Sequence, residues 1–316
     1  MGLTGAMRLV FLGTPAFAVP TLERLAAAGH QVAAVITQPD RPRGRGHATA
    51  APAVKQAALR LGLTVYQPER VRRPEAVEYL RGLAPDAMVV VGYGQIIPQS
   101  VIDIAPLGIL NVHASLLPKY RGAGPVQWAI ANGETRTGVT IMRIDAGLDT
   151  GDMLRKAETE IGPEENAIEL GERLAAMGAD LLVATLEDLA AGRATFEKQD
   201  GAEATYAPIL KKEDGRIDWR QPAAAVHNRV RGLQPWPGAY TDFRGRTLHV
   251  WRSRVRDGAG GGAAGRLLSV RPPVVAAGEG GLELVEVQME GRKRVAADDF
   301  ANGQRLHENE VFGEAP

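Results

Sequence analysis

The chain has 316 residues, 45% of them hydrophobic and 23% charged, so it can bury a sizeable core, and its length predicts two domains. Its net charge is zero, so the overall charge does not indicate a polyanionic partner. It contains no cysteine, which excludes disulfides, thiolate metal sites and thiol redox chemistry. Neither an export signal nor an apolar run of about 18 residues is evident, so we expect a cytoplasmic protein that does not enter the membrane.

The first half alternates short apolar runs with helical patterns, which is typical of repeated β-α-β units. Strands are predicted at residues 8–12, 32–36, 63–66, 87–91, 109–113 and 138–144. Helices are predicted at residues 21–28, 52–61 and 74–83, in a short segment ending at Asn132, and at 164–190. This order predicts an α/β fold with a doubly wound, Rossmann-like sheet, which we place at residues 1–193, followed by a linker at 194–209.

The pattern changes in the second half. After a helix near 222–231, short strands at 247–251, 266–270 and 282–287 are separated by glycine-rich turns, of which 257–265 is the most flexible. Closely spaced strands without crossover helices predict a small β-barrel, with an OB-like fold as one candidate, at residues 210–316.

The two halves also differ in how charge is distributed. Residues 211–256 carry 11 basic and 4 acidic side chains, whereas residues 257–316 carry 6 basic and 10 acidic ones. Such a basic segment can follow the phosphate backbone of an RNA, or it can be a solvated face.

The glycine at the end of the first predicted strand does not indicate a nucleotide site. Gly13 ends this strand, but the second and third glycines of a dinucleotide-binding fingerprint are missing. We therefore interpret Gly13 as part of a tight turn, and not as part of an NAD site.

Two polar side chains lie near the carboxyl end of a predicted buried strand. Asn111 and His113 are two residues apart, so they face the same side of the sheet, at the end where open α/β sheets bind their ligands. A histidine there can equally be a packed residue. The later segment 145–152 carries several carboxylates in a glycine-bearing loop, which can be a solvated turn or part of a site. An amide, an imidazole and a carboxylate without a serine or cysteine nucleophile suit transfer to a nucleophile that the substrate supplies.

Longer strings at these positions carry a family resemblance. Residues 111–122 and 138–152 closely resemble the signature of the folate-dependent formyltransferases. Further matches at 11–15, 37–42, 91–94 and 235–238 extend the resemblance over nearly the whole chain, toward the members that formylate the methionine of initiator tRNA. The resemblance implies 10-formyltetrahydrofolate as formyl donor and methionyl initiator tRNA as acceptor. We expect no metal, and we take a monomer as the default because the sequence does not reveal the oligomeric state.

The resemblance also implies Asn111, His113 and Asp149 as the catalytic residues. The Asn111 amide and a protonated His113 would stabilise the oxyanion that forms when an amine attacks the formyl carbon. Asp149 would orient the imidazole and favour its charged form. His113, Asp149 or water can take the proton from the amine, and the sequence does not choose among them.

Two binding regions follow from the same resemblance. The folate site is implied between the loops at 91–98 and 145–149, with contacts from Val91, Gly92, Tyr93, Gly94, Ile96, Ser115, Leu116, Leu117, Pro118, Asp145, Gly147 and Asp149. The tRNA site is implied in an arm at 38–46, which would enter the end of the acceptor stem, and on the basic segment, with contacts from Arg41, Arg43, Arg45, Lys211, Arg229 and Arg231. The sequence His47-Ala-Thr-Ala replaces lysines that follow this arm in some members.

Other functions remain open within this fold and outside it. The same chemistry formylates amino sugar nucleotides or glycinamide ribonucleotide and hydrolyses formyl-folate. A non-catalytic RNA-binding protein on the same scaffold is the alternative from another class. The second domain, the arginine arm and the three catalytic residue types favour the tRNA enzyme.

Overall fold

A computed structural model describes residues 5–43, 48–256, 258, 262–308 and 310–313. Its contacts divide the chain into two compact units. The first unit comprises Met1–Gly122, Thr137–Thr159 and Gly171–Tyr206, and the second comprises Ala123–Arg136, Glu160–Leu170 and Ala207–Pro316. Residues 123–136 and 160–170, which lie within the predicted first domain, thus belong to the second unit. The domain boundaries at 193 and 210 stay a prediction.

Strands and helices alternate along most of the first unit, as predicted. The strands are β1 (Arg8–Gly13), β2 (Gln31–Ile36), β3 (Arg41–Arg43), β4 (Ala48–Ala50), β5 (Val65–Tyr66), β6 (Ala87–Val91), β7 (Ile109–His113), β8 (Arg121–Gly122), β9 (Arg136–Arg143), β10 (Met153–Glu160) and β11 (Tyr206–Ala207). The helices are α1 (Val19–Ala27), α2 (Ala53–Arg60), α3 (Pro74–Gly82), α4 (Gln99–Ile102), α5 (Pro125–Ala131) and α6 (Ala167–Ala190).

Among the described residues, seven strands form the main sheet in the order β10-β9-β7-β6-β1-β2-β5. The neighbouring strands β5, β2, β1, β6 and β7 are parallel to one another, whereas β9 pairs with β7 antiparallel. The sheet is therefore mixed. Strand β10 was not predicted. It lies at the sheet edge and alternates charged with half-buried side chains, so it lacks the apolar run that marked the other strands.

The core of the first unit surrounds the central strands. β6 and β7 are buried along their whole length. The uninterrupted apolar run of β6 predicts this burial, whereas β7 also buries the polar side chains of Asn111 and His113. Helix α6 lies close to the sheet at Gly178, where a Cβ atom would come within 2.5 Å of the Val112 side chain. This close approach covers β7, the strand that carries Asn111 and His113.

Helix α6 begins later than the predicted residue 164. Asn166 caps it, because the Asn166 Oδ1 accepts from the backbone N–H groups of Ile168 and Glu169 while the Glu169 carboxylate accepts from the Asn166 N–H. The helix ends at Ala190, as predicted.

The second unit contains an antiparallel sheet, which confirms that the fold changes after the first unit. Its strands are β12 (Ala239–Phe243), β13 (Arg246–Arg256), β14 (Leu267–Val270), β15 (Pro273–Ala276), β16 (Gly281–Met289) and β17 (Val295–Ala296). Their order is β12-β13-β16-β15-β14, and β17 pairs with β16. Helices α7 (Ala223–Gly232) and α8 (Ala297–Gln304) share one apolar cluster with these strands.

Strands β13, β14 and β16 and helix α7 lie where they were predicted, whereas β12, β15, β17 and α8 were not predicted. The glycine-rich turn at 257–265 falls partly outside the described residues. In the part of the chain that the structure describes, no helix is long and apolar enough to cross a membrane.

Candidate active site

Strand β7 carries the first two candidate catalytic residues. Asn111 pairs with Val90 of β6 on one side and Met142 of β9 on the other, and His113 lies opposite Thr140 of β9. Asn111 is 9% exposed and His113 is 5% exposed. Both polar side chains are thus held in the middle of the sheet, where water has little access.

The imidazole of His113 lies between a carbonyl and a carboxylate. Its Nε2 is 2.9 Å from the Tyr120 carbonyl oxygen, and because a carbonyl only accepts, Nε2 carries a proton. Its Nδ1 lies 3.7 Å from Asp149 Oδ2. This distance is too long for a hydrogen bond but short enough for strong attraction between an imidazolium and a carboxylate. Nδ1 is therefore the ring nitrogen that remains available for the reaction.

Asp149 reaches His113 from a loop that begins elsewhere on the sheet. Because β9 is antiparallel to β7, the loop after Arg143 starts beside Leu110, at the opposite end of β7 from His113. Asp149 adopts a left-handed backbone conformation, with φ of 52°. Its Oδ2 accepts a 2.8 Å hydrogen bond from the Gly122 N–H, which directs the carboxylate toward the imidazole.

Short hydrogen bonds shape the loop around Asp149. Asp145 Oδ1 accepts from the Gly147 N–H at 3.0 Å and from Thr150 Oγ1 at 2.7 Å, so Asp145 closes the turn. A Cβ atom on Gly147 would lie 1.9 Å from Thr150 Oγ1, and one on Gly151 would lie 1.7 Å from the Arg143 carbonyl oxygen. The loop thus requires glycine at both positions. In the described ranges, no three His, Asp or Glu side chains come together as a metal site would require.

Two further residues contact this loop and were not singled out from the sequence. Gln199 Nε2 donates to the carbonyl oxygens of Asp149 and Gly151, at 2.8 Å each. Gln199 Oε1 accepts from Arg121 Nε at 3.0 Å and from Arg121 Nη2 at 2.8 Å. Arg121 lies inside the signature string 111–122, and this position was the one feature of the sequence that could have pointed to it. Gln199 lies in the predicted linker, where the sequence offered none.

The segment after β7 is buried and internally bonded. Ser115 Oγ donates to the Lys119 carbonyl at 2.6 Å, and the Ser115 carbonyl accepts from Thr140 Oγ1 at 2.7 Å. The Leu117 N–H donates to Thr140 Oγ1 at 3.1 Å. Ser115, Leu117 and Pro118 are buried and Leu116 is half-buried, and their contact with a folate stays a prediction.

The loop after β6 presents both backbone and an apolar side chain. Val91 and Tyr93 are buried, while Gly92 and Gly94 have φ of 56° and 82° and are exposed. Burial raises the pKa of the Tyr93 phenol, and its carbonyl accepts from Thr14 Oγ1 and Gln38 Nε2. Ile96 is 92% exposed. Contact of this side chain with a folate stays a prediction.

In the candidate tRNA arm, β3 and β4 pair antiparallel. Arg41 is exposed, Arg43 ends β3, and Arg45 lies outside the described residues. At the base of the arm, Asp40 accepts from Lys55 Nζ at 2.6 Å and from Gln67 Nε2 at 2.7 Å. The hydrogen bonds from Gln67 and Lys55 hold the pKa of Asp40 below its ordinary value.

The basic segment 211–256 places its three candidate residues differently. Lys211 is exposed, and Arg229 is half-buried and donates to the Asp214 carbonyl. Arg231 is 8% exposed, and its guanidinium donates to Asn228 Oδ1 and to the carbonyls of Gly162 and Glu165. Burial lowers the pKa of Arg231. This geometry makes Arg231 a structural residue, because a buried guanidinium with these partners is not available to a phosphate.

Comparison with known proteins agrees with this arrangement. The formyl transferase family matches residues 7–186, and its C-terminal domain matches residues 209–305. A methionyl-tRNA formyltransferase from Solibacter usitatus is 74% identical over 98% of this chain and 99% of its own length. Another from Citrifermentans bemidjiense is 51% identical over 98% of both chains.

Solved structures support the fold at lower identity. WlaRD, a sugar 3N-formyl transferase, has a TM-score of 0.67 at 17% identity and covers 91% of this chain and 99% of its own. HypX from Aquifex aeolicus in complex with tetrahydrofolic acid has a TM-score of 0.65 at 17% identity, covering 94% of this chain and 47% of its own. With the matches to both halves and the high identity to full-length relatives, the chain belongs to the formyl transferase family.

Proposed function

We propose that the chain transfers the formyl group of 10-formyltetrahydrofolate to the amino group of methionyl initiator tRNA. The observation that carries this proposal is the 74% identity to a methionyl-tRNA formyltransferase over 98% of the chain, which includes both units. The pairing of His113 with Asp149 supports it, because the residues that the reaction needs are close together in the first unit.

The chemistry follows from the geometry of His113. The methionyl amine attacks the formyl carbon, the carbonyl electrons move onto oxygen, and collapse of this intermediate breaks the bond to the folate nitrogen. The amine loses one proton and the folate nitrogen gains one, so the reaction is balanced. Asn111 Nδ2 and the protonated Nδ1 of His113 stabilise the oxyanion, since Nε2 is engaged by the Tyr120 carbonyl. Asp149 stabilises the imidazolium.

The chain's own residues suit a folate. Gly92 and Gly94 leave the backbone of their loop open to a close ligand, since neither carries a Cβ atom and both have positive φ. Ile96 and Leu148, which are 92% and 61% exposed, offer apolar contact from the two loops that the sequence assigns to this ligand.

For the tRNA, we propose contacts from Arg41, Arg43 and Arg45 of the arm and from Lys211 and Arg229 of the second unit. The exposure of Arg41 and Lys211 supports this assignment, and Arg231 is left out of the set because it is buried. Contacts of this kind position an RNA through its phosphates. Action as a monomer in the cytoplasm remains a prediction.

The test is formyl transfer from radiolabelled 10-formyltetrahydrofolate to four acceptors offered together. These are methionyl initiator tRNA, methionyl elongator tRNA, glycinamide ribonucleotide and an amino sugar nucleotide. We expect label on the initiator tRNA alone. Label on a small molecule would overturn the proposed acceptor, and an absence of transfer to any acceptor would favour a non-catalytic protein on this scaffold.

A further inference from the structure

The carboxamide of Gln199 has its full hydrogen-bonding capacity engaged next to Asp149. Both N–H donors go to carbonyl oxygens, of Asp149 and Gly151, and the oxygen accepts two N–H groups of Arg121. Because a guanidinium only donates and a carbonyl only accepts, these partners determine which way the amide points. A carboxylate at this position satisfies only the arginine, and an apolar side chain satisfies neither partner.

Arg121, the partner of Gln199, belongs to a tripeptide that contacts two of the three candidate catalytic residues, His113 and Asp149. Within residues 120–122, the Tyr120 carbonyl accepts from His113, the Gly122 N–H donates to Asp149, and the Arg121 side chain holds Gln199. Arg121 is 6% exposed. One short segment therefore sets the position of the imidazole, of the carboxylate and of the residue that holds the loop.

Asp149 lies at a turn of the backbone. Its φ of 52° is in the left-handed region, which few residues with a Cβ atom adopt, although aspartate does so more often than most. The Gln199 amide holds the carbonyl of Asp149 and the carbonyl two residues later, so it spans the turn that follows the carboxylate. If the turn relaxed, Asp149 Oδ2 would leave its position 3.7 Å from His113 Nδ1.

We infer that Gln199 is a positioning residue for formyl transfer, which acts by holding the Asp149 turn against His113 and is itself held by Arg121. This inference rests on the proposed function. Gln199 touches neither the imidazole nor a reacting atom, and its effect on the reaction passes through Asp149.

The test is a double-mutant cycle of Gln199→Met with Asp149→Asn, measured as single-turnover formyl transfer to methionyl initiator tRNA. Methionine keeps the length of glutamine but removes its hydrogen bonds. The backbone around residue 199 keeps its own anchor, because Glu197 and Met153 exchange hydrogen bonds of 2.8 and 2.9 Å. We expect Gln199→Met to lower the rate by about 10²-fold in the native background and by less than about twofold beside Asp149→Asn. Its KM for tRNA should stay within about twofold of the native value, and its pH–rate profile should approach that of Asp149→Asn.

A second variant and a control separate the possible outcomes. Gln199→Glu keeps the bond to Arg121, so it should fold, and it should lose the same activity because its carboxylate faces two carbonyls. Gln99→Met, at an exposed glutamine of α4 that bonds Asp103, should leave transfer unchanged. Losses from Gln199→Met and Asp149→Asn that multiply would overturn the positioning role, as would native rates in both Gln199 variants. A native rate in Asp149→Asn itself would instead overturn the proposed catalytic site.

Discussion

His113 and Asp149 in the first unit are held by backbone groups, whereas most arginines of the basic segment in the second unit are held by carboxylates. Tyr120 and Gly122 fix the pair through one carbonyl and one N–H, which leaves the imidazole Nδ1 available. In the basic segment, ion pairs engage Arg216 with Asp242, Arg220 with Asp218, Arg244 with Glu310, and Arg254 and Arg256 with Glu283.

The difference shows that the partner of a polar side chain decides what it can still do. A neutral backbone partner orients a catalytic group without cancelling its charge. A carboxylate partner neutralises an arginine, so the excess of 11 basic over 4 acidic residues in 211–256 overstates the positive charge left for a phosphate. Glu310 and Glu283, which neutralise three of these arginines, lie outside the segment and are missed by a local count.

The largest expected effect is the loss of the imidazole. His113→Ala should lower formyl transfer by about 10³-fold, because it removes the group that carries the proton at the oxyanion. The fold should persist, as judged by thermal melting. His307→Ala removes an exposed histidine of the second unit and should leave the rate unchanged. Transfer at the native rate in His113→Ala would contradict the assignment.

A smaller effect is expected from the shape of the Asp149 loop. Gly151→Ala places a Cβ atom 1.7 Å from the Arg143 carbonyl oxygen, so the loop must shift and the rate should fall by about 10²-fold. Gly171→Ala is the matched control, because its Cβ atom meets nothing within 4 Å in helix α6. That variant should keep the rate and gain about 0.5–1 kcal/mol in free energy of unfolding. Equal rates in the two variants would show that the loop tolerates displacement.

Next is the buried arginine of the second unit. Arg231→Met should lower the free energy of unfolding by about 2 kcal/mol, since it leaves the Gly162 and Glu165 carbonyls without this donor. The salt dependence of tRNA binding should not change. Lys211→Ala should have the opposite pattern of effects. Its free energy of unfolding should stay native, and the slope of log K for tRNA binding against log salt concentration should fall by about one. Denaturant unfolding and binding at several salt concentrations measure both. If Arg231→Met reduced the salt dependence of tRNA binding, Arg231 would have to be counted among the residues that contact RNA.

The smallest effect is expected from the arm. Replacing Arg41, Arg43 and Arg45 together with alanine should raise the KM for tRNA by about tenfold at low salt and less at high salt, because phosphate contacts are screened. The KM for the formyl donor should stay unchanged. Steady-state kinetics with each substrate varied in turn tests this. A change in the donor KM alone would place the arm at the folate instead.

The sequence predicted those elements whose pattern is local. Strands β6 and β7 were predicted with their observed bounds. β6 is a continuous apolar run, as expected of a strand buried on both faces. The start of α6 was predicted at residue 164, whereas Asn166 caps the helix in the structure. Strand β10 was not predicted, because an edge strand with several charged side chains lacks the apolar pattern that distinguishes a strand from a loop.

By itself, the sequence determined the α/β order of the first unit, the placement of Asn111 and His113 on one strand, and the family through its signature strings. Only the tertiary structure decided how Asp149 reaches His113, since the loop leaves β9 at the far end of an antiparallel neighbour. It also decided that Gln199 holds this loop and that Arg231 is buried. The physical reason is that a hydrogen-bond partner is chosen by proximity in space, and these partners lie about 50 to 70 residues apart in the chain.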